Sequence, residues 1–182
     1  NHPQRGLVPP DQFIPLAERS GLIGELGRWA LDEACRQLQA WHRQGHTDWS
    51  MSVNLSALQF SAPRLEHEVT HALARHGLPA HKLVLEITES ALMQDTAATA
   101  ALLKALSTLG VGISIDDFGT GYSSLVYLKR LPATELKIDH AFIRDLPGSR
   151  DDRLIIASIV ALGQAMGMHI VAEGVETPAQ RD

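Results

Sequence analysis

Short apolar runs alternate with longer amphipathic stretches from residue 49 onward. The runs are about five residues long and apolar at consecutive positions, which is typical of strands buried in a parallel sheet. The stretches between them repeat apolar residues at helical spacing, so they are predicted to be helices that cover the sheet. The predicted strands are residues 49–55, 82–87, 112–115, 135–138 and 168–172, and the predicted helices are residues 14–26, 28–44, 63–76, 95–109, 122–130 and 153–166.

Polar residues occur at or near the carboxyl ends of five successive predicted strands. They are Asn54, Glu86, the Asp116-Asp117 pair, Lys137 and Glu173. In a (β/α)8 barrel the carboxyl ends of all strands form one face, and the active site lies there. An open doubly wound sheet is the alternative, although its site usually draws on fewer strands around one switch point. The pattern therefore predicts an α/β fold, a TIM-like (β/α)8 barrel.

Asp116 and Asp117 are adjacent carboxylates at the end of a predicted strand, and Gly119 and Gly121 follow them. Adjacent carboxylates repel each other unless a cation, a shared proton or solvent relieves them. Oxygen ligands of this kind suit Mg²⁺ or Mn²⁺. The number of carboxylates points to two ions about 3.5 to 4 Å apart, an arrangement that activates water against a phosphodiester. The competing interpretation is a strand-to-helix loop in which the aspartates cap the next helix.

His67, Glu68 and His71 match the zinc-protease spacing H-E-x-x-H on a predicted helix. On a helical projection both histidines lie opposite the apolar face, so we expect them to face solvent. The extended zinc motif also needs a glycine and a histidine where this chain has Ala74 and Gly77. We therefore favour a solvated helix face and keep a zinc metalloprotease as an alternative. The predicted apolar face consists of Leu65, Val69, Ala72, Leu73 and His76.

The second predicted helix carries Trp29, Leu38 and Trp41, which we interpret as one stripe facing the core. Asp32 lies near this stripe. Its carboxylate could accept two N–H groups from a guanine edge, and an exposed helical acid is the competing interpretation. Cys35 is the only cysteine, so an internal disulfide is excluded, and we expect it to pack between helices.

Charge and hydropathy exclude several classes of protein. The formal net charge is −5, and no basic stripe interleaved with aromatic residues occurs, which argues against binding to DNA or RNA polymers. The first ten residues lack the pattern of a signal peptide. Residues 154–172 approach the length of a membrane span, but glycines and polar residues interrupt them. We interpret this run as a core-facing helix followed by a short buried strand, and we expect a cytoplasmic protein.

Six motifs follow one another along the chain. They are F-I-P-L-A-E at 13–18, V-N-L-S at 53–56, L-E-I-T-E-S at 85–90, D-D-F-G-T-G-Y-S-S at 116–124, L-K-I-D at 136–139 and A-E-G-V-E-T at 172–177. In these motifs, and along essentially its whole length, the chain resembles the EAL-domain family of cyclic-di-GMP phosphodiesterases. The resemblance implies a TIM-like barrel, two Mg²⁺ or Mn²⁺ ions, and hydrolysis of cyclic-di-GMP to linear pGpG.

The resemblance also implies roles for individual residues. Lys137 would hold and polarise the attacking water, Glu173 would support the metal site, and Glu89 would anchor the loop that begins at Asp116. We further assign Asp32 and Gly174 to substrate binding. The implied metal ligands are Asn54, Glu86, Asp116 and Asp117, with Asp116 bridging the two ions.

The family's E-A-L glutamate would fall just before Asn1, and its late Q-G motif would follow Asp182. A (β/α)8 barrel typically takes about 250 residues, so we expect residues 1–182 to be a partial EAL phosphodiesterase domain, with a barrel incomplete at both ends. Alone, such a segment is expected to be inactive and poorly soluble, because unclosed strands leave sheet edges unpaired.

The alternative function is that of a catalytically inactive EAL-type receptor that binds cyclic-di-GMP in the same cleft. For the full-length protein we expect a homodimer with attached sensory or GGDEF domains outside this segment. Membrane tethering of the full-length protein by other regions is compatible with this expectation.

Overall fold

A computed structural model describes residues 2–92, 97–121, 128–146 and 148–181. Strands and helices alternate through most of it. The strands are β1 (Met51–Leu55), β2 (Leu83–Thr88), β3 (Gly112–Phe118), β4 (Glu135–Ile138) and β5 (His169–Ala172). The helices are α1 (Pro10–Ser20), α2 (Ile23–Arg43), α3 (Ala57–Phe60), α4 (Leu65–His76), α5 (Glu89–Leu92), α6 (Ala97–Leu109), α7 (His140–Arg144), α8 (Arg150–Ala165) and α9 (Pro178–Arg181), and a 3-10 turn spans Ala80–Lys82.

Within the described residues the strands form one parallel sheet in the order β1-β2-β3-β4-β5. Each strand pairs with the next one along the chain, and the order does not reverse. A doubly wound sheet would reverse at a switch point, whereas consecutive parallel strands joined by helices are the repeat of a (β/α)8 barrel. Because right-handed crossovers place all their helices on one side of such a sheet, the opposite side is the interior face.

The two faces of the sheet differ in chemistry. Alternate residues of β2, β3 and β4 pack into one core with the helices and are almost completely buried; they are Leu83, Leu85, Ile87, Ile113, Ile115, Leu136 and Ile138. The residues between them point to the interior face, and there Glu86, Asp116 and Lys137 lie toward the carboxyl ends of their strands. Burial of the apolar set therefore fixes the register that delivers charged groups to the interior face.

Helix α2 packs on the core through Leu31, Cys35 and Leu38. Trp29 is 64% exposed, so its interpretation as part of the core stripe is wrong. Nine positions separate it from Leu38, which is about two and a half helical turns and places the two side chains on opposite faces. The expectation for Cys35 is confirmed, because it is buried. Burial and, to a smaller extent, the negative charge of Asp32 raise the pKa of its thiol to about 11.

Several element boundaries differ from the predicted ones. The first two helices are separated at Gly21, whose φ of 76° is the left-handed conformation of a helix C-cap, and not at Gly27. Strand β5 is largely exposed, contrary to the buried strand that we expected, because it lies at an edge of the described sheet. The predicted helix 122–130 falls largely outside the described residues, as does the predicted start of helix 95–109.

The apolar run 154–172 forms most of α8 and then strand β5. Among the helices that the structure describes, none combines the length and the apolar character needed to cross a membrane.

Candidate active site

The charged residues of the interior face come together because neighbouring strands are in register. Asn54 of β1 is the partner of Glu86 of β2, and Asp116 of β3 is the partner of Thr88. Partners in a parallel ladder lie side by side and point to the same face of the sheet. The carboxyl ends of β2, β3, β4 and β5 therefore meet at one edge, as the sequence predicted.

The ammonium group of Lys137 lies at the centre of this edge. Its Nζ is 3.0 Å from Glu86 Oε2, 3.0 Å from Asp116 Oδ1 and 2.6 Å from Glu173 Oε1. The Lys137 side chain is only 11% exposed. Burial by itself would lower its pKa, but hydrogen bonds to Glu173, Asp116 and Glu86 outweigh burial and raise the pKa well above the usual range. Lys137 therefore remains protonated at neutral pH and acts as a hydrogen-bond donor.

A second arrangement joins Asp116, Asp117 and Glu173. Each offers one carboxylate oxygen, and these oxygens lie within 4.8 Å of one another. Burial raises the pKa of Asp117, and the negative charges of Asp116, Asp139 and Glu173 and a hydrogen bond with Asp139 raise it further. Excess negative charge at this point is the condition that a bound cation relieves.

The backbone at Asp117 is unusual. Strand β3 continues through both aspartates to Phe118, whereas the sequence predicted that it would end at Ile115. The register against β4 shifts between Ile115 and Phe118, and Asp117 has a φ of 55°, which is uncommon for a residue with a side chain. The Asp117 N–H donates to Asp116 Oδ1 at 3.1 Å. The irregularity lets two consecutive aspartates belong to one oxygen cluster, although successive strand residues would normally point to opposite faces.

The donor set fits a hard divalent cation. Three carboxylates (Glu86, Asp116 and Glu173) contact the Lys137 ammonium, and Asp117 lies beside two of them, so the site carries an excess of negative charge. All the donors are oxygen atoms, which Mg²⁺ and Mn²⁺ prefer, and no thiolate or imidazole belongs to the cluster that the described residues form. The cluster could therefore hold a metal ion.

Glu89 contacts the loop that follows β3. It is buried at the start of α5, and its Oε2 accepts the Gly119 N–H at 2.9 Å. A Cβ at Gly121 would lie 2.9 Å from Glu89 Oε1, so the loop backbone packs directly on this carboxylate. The contact expected from the sequence is present for Gly119. The hydroxyl groups of Ser123 and Ser124 lie outside the described residues.

Three further residues were assigned to metal or substrate binding, and they lie in three different places. Asn54 lies beside Glu86 in register and is exposed on β1. Asp32 does not belong to the cluster. It lies in the helix layer, where its Oδ1 is 2.9 Å from Nε2 of His76, the last residue of α4. Gly174 directly follows Glu173, with a φ of 70°.

Asp139 is a residue of this edge to which the sequence analysis gave no role. It is buried, caps helix α7 by accepting the Ala141 N–H at 2.6 Å, and contributes to the raised pKa of Asp117. An aspartate directly between a predicted strand and a following helical segment is an N-cap signal, and it could have been identified on that ground.

The H-E-x-x-H motif on α4 does not form part of the site. Leu65, Val69, Ala72, Leu73 and His76 are buried, as predicted. His67 and His71 are exposed on the other side of the helix, and their rings stack at 6.2 Å. Glu68, which would be the general base of a zinc protease, pairs instead with Arg28 of α2 at 3.1 Å.

Comparisons with known proteins give consistent matches. A family model described as EAL domain matches residues 1–182. The bifunctional diguanylate cyclase/cyclic di-GMP phosphodiesterase MucR of Pseudomonas aeruginosa is 58% identical over 181 residues, which are 100% of this chain and 26% of MucR. The cyclic di-GMP phosphodiesterase NbdA of the same organism is 50% identical over 179 residues, which are 98% of this chain and 23% of NbdA.

A solved structure described as the PaMucR phosphodiesterase in a c-di-GMP complex superposes with a TM-score of 0.96 at 58% identity. The superposition covers 99% of this chain and 73% of that one. The chain thus spans about a quarter of the length of the curated relatives, 26% and 23%, and most of the length of the solved domain.

Proposed function

The chain belongs to the EAL domain family, and from this premise we propose that it carries the active site of a phosphodiesterase that hydrolyses cyclic-di-GMP to linear pGpG. The family resemblance and the TIM-like fold class predicted from the sequence are both confirmed. Residues 1–182 are proposed as part of that catalytic domain. The observation that carries the proposal is the meeting of Glu86, Asp116 and Glu173 around the Lys137 ammonium at the carboxyl edge of the sheet.

The proposed cofactor is a pair of Mg²⁺ or Mn²⁺ ions. When bound, such ions lower the pKa of water and neutralise charge that develops on a phosphodiester. The oxygen cluster of Asp116, Asp117 and Glu173 supports this assignment, as does the raised pKa of Asp117. The proposed ligands are Asn54, Glu86, Asp116 and Asp117, with Asp116 shared between the two ions.

The side chains of this chain then have separate tasks. The Lys137 ammonium donates to three carboxylates at the centre of the site, so it is proposed to hold the attacking water and to donate to a phosphate oxygen. Glu173 accepts from Lys137 at 2.6 Å and fixes the direction of that ammonium. Glu89 positions the β3 loop through Gly119. Gly174 is proposed to approach the substrate with its backbone, while the contact of Asp32 with His76 at 2.9 Å supports a structural role for that aspartate.

For the full-length protein we propose cyclic-di-GMP as ligand, a homodimer, a cytoplasmic location of this domain, and attached sensory or GGDEF domains. The attached domains are supported by the small share of MucR and NbdA that the chain covers, 26% and 23%. The anionic character of the site supports a small phosphate ligand held through cations and not a nucleic-acid polymer.

The test of this function is product analysis. The full-length protein is incubated with cyclic-di-GMP and Mg²⁺ or Mn²⁺, and nucleotides are separated by anion-exchange chromatography. We expect pGpG as the first product and no product in EDTA. Tight binding of cyclic-di-GMP without pGpG would identify a receptor and would overturn the proposed hydrolysis.

Replacing Glu89 by alanine is expected to weaken metal affinity and turnover together. Residues that orient metal ligands typically contribute about 10- to 100-fold in metal affinity or activity, and Glu89 holds the backbone two residues after Asp117. Excess Mg²⁺ should restore only part of the rate. The measurement is turnover against Mg²⁺ concentration, with the exposed neighbour Ser90→Ala as control. Wild-type activity of Glu89→Ala at ordinary Mg²⁺ would show that the loop is held by other contacts.

A further inference from the structure

Helix α7 lies between the two acidic segments of the site. It follows β4, and β4 lies between β3, which carries Asp116 and Asp117, and β5, which leads to Glu173. Strands β3 and β5 do not pair with each other in the described sheet. The spacing between the aspartates and Glu173 is therefore set through β4 and the residues that follow it.

Phe142 of α7 supports the segment after β3. Gly119 has a φ of 102°, and a Cβ there would lie 2.8 Å from Phe142 Cε2 and 3.4 Å from Ile159 Cδ1 of α8. The backbone at Gly119 therefore packs against the Phe142 ring. Its N–H donates to Glu89, which follows β2. Gly119, two positions after Asp117, is therefore held by one residue that follows β2 and by one that follows β4.

The first residues of α7 also contact both acidic segments. The carboxyl group of Asp139, the N-cap, lies beside that of Asp117. A Cβ at Gly174 would lie 2.9 Å from His140 Cβ and 3.6 Å from His140 Cα, so the residue after Glu173 packs closely on the start of this helix. Both contacts at the glycines are steric, and both residues have positive φ, which allows the backbone to approach α7.

We propose that Phe142 is a positioning residue for the metal site, acting through Gly119 to hold Asp116 and Asp117 at the correct distance from Glu173. The inference rests on the proposed function, because it concerns the same site. Without the Phe142 ring, Gly119 keeps its hydrogen bond to Glu89 but loses its packing contact with α7. We then expect Asp116 and Asp117 to occupy a wider range of positions. The oxygen atoms that now lie within 4.8 Å of one another would then bind a divalent cation less tightly.

The test compares variants of two adjacent residues of α7 in the full-length protein. Ile143 is 2% exposed and packs into the apolar core, so Ile143→Val is the matched control for a loss of packing in the same helix. Phe142→Leu is its counterpart and Phe142→Ala the larger change. Mn²⁺ affinity of the metal-free protein is measured by calorimetry, thermal stability is measured in EDTA, and the Mn²⁺ dependence of turnover is measured separately.

We expect Phe142→Ala to raise the Mn²⁺ dissociation constant about 10- to 100-fold. Phe142→Leu should raise it less, and saturating Mn²⁺ should recover most of the turnover of both. Ile143→Val should lower thermal stability and leave the Mn²⁺ dissociation constant within about twofold of wild type.

Two results would overturn the inference: an unchanged Mn²⁺ dissociation constant in both Phe142 variants, or an equal rise in Ile143→Val and Phe142→Leu. If Phe142→Ala does not fold, the comparison of Phe142→Leu with Ile143→Val decides. A wild-type protein that neither binds Mn²⁺ nor hydrolyses cyclic-di-GMP would overturn the proposed function as well. An active wild type with unaffected Phe142 variants would overturn only the role of Phe142.

Discussion

Asp116→Asn is expected to reduce hydrolysis of cyclic-di-GMP about a thousandfold or more while the protein stays folded. The substitution keeps the shape of the side chain and removes its charge. Asp116 belongs both to the oxygen cluster with Asp117 and Glu173 and to the set of acceptors around Lys137. One neutral amide therefore weakens the proposed shared metal ligand and the contact that orients the ammonium.

Turnover and thermal stability are measured on the same preparations for this variant. Asp151→Asn, an exposed position at the start of α8, is the control for the loss of one negative charge. Turnover of Asp116→Asn within tenfold of wild type would contradict the assignment of Asp116 as the shared ligand.

Lys137→Met is expected to separate catalysis from metal binding. Methionine keeps an apolar stem of similar length but leaves Glu86, Asp116 and Glu173 without their cation. Removing one partner of a buried ion pair costs about 3 kcal/mol or more, so stability in EDTA should fall clearly. The ammonium competes with divalent cations for the same carboxylates, and Mn²⁺ should therefore bind at least as tightly and restore much of the stability. Turnover should fall about a hundredfold or more, because no donor holds the water.

Lys129→Met, at an exposed lysine, is the control for this change. Stability is measured by thermal unfolding with EDTA and with Mn²⁺, and turnover at saturating Mn²⁺. A loss of Mn²⁺ affinity in Lys137→Met that equals the loss in Asp116→Asn would contradict the separate role of the ammonium.

The ends of the strands could be predicted from sequence, because buried apolar residues give way to charged residues there. Strand β4 has the predicted bounds, and its two charged residues, Glu135 and Lys137, alternate with the buried apolar residues Leu136 and Ile138. The exposed histidines of α4 could be predicted for the same reason, since the apolar residues of that helix occupy a single face. In both cases local periodicity and tertiary burial agree.

The placement of individual side chains could not be predicted where it depends on contacts that are distant in the chain. Asp117 joins the cluster through a positive φ and a register shift against β4, which no local pattern indicates. Asp32 is fixed by His76, 44 positions away, on the helix layer. The meeting of the strand ends at one edge could be predicted, but the individual contacts of Lys137 with three carboxylates, from β2 to the end of β5, depend on the order of the strands.

A single-turnover experiment tests the central claim most directly. The full-length protein in EDTA is mixed with less than one equivalent of cyclic-di-GMP, the bound nucleotide is analysed, Mn²⁺ in excess over EDTA is added, and the nucleotide is analysed again. We expect intact cyclic-di-GMP before the addition and complete conversion to pGpG after it. Cyclic-di-GMP that stays intact with Mn²⁺, or that is already cleaved in EDTA, would contradict a metal-dependent phosphodiesterase built on this acidic cluster.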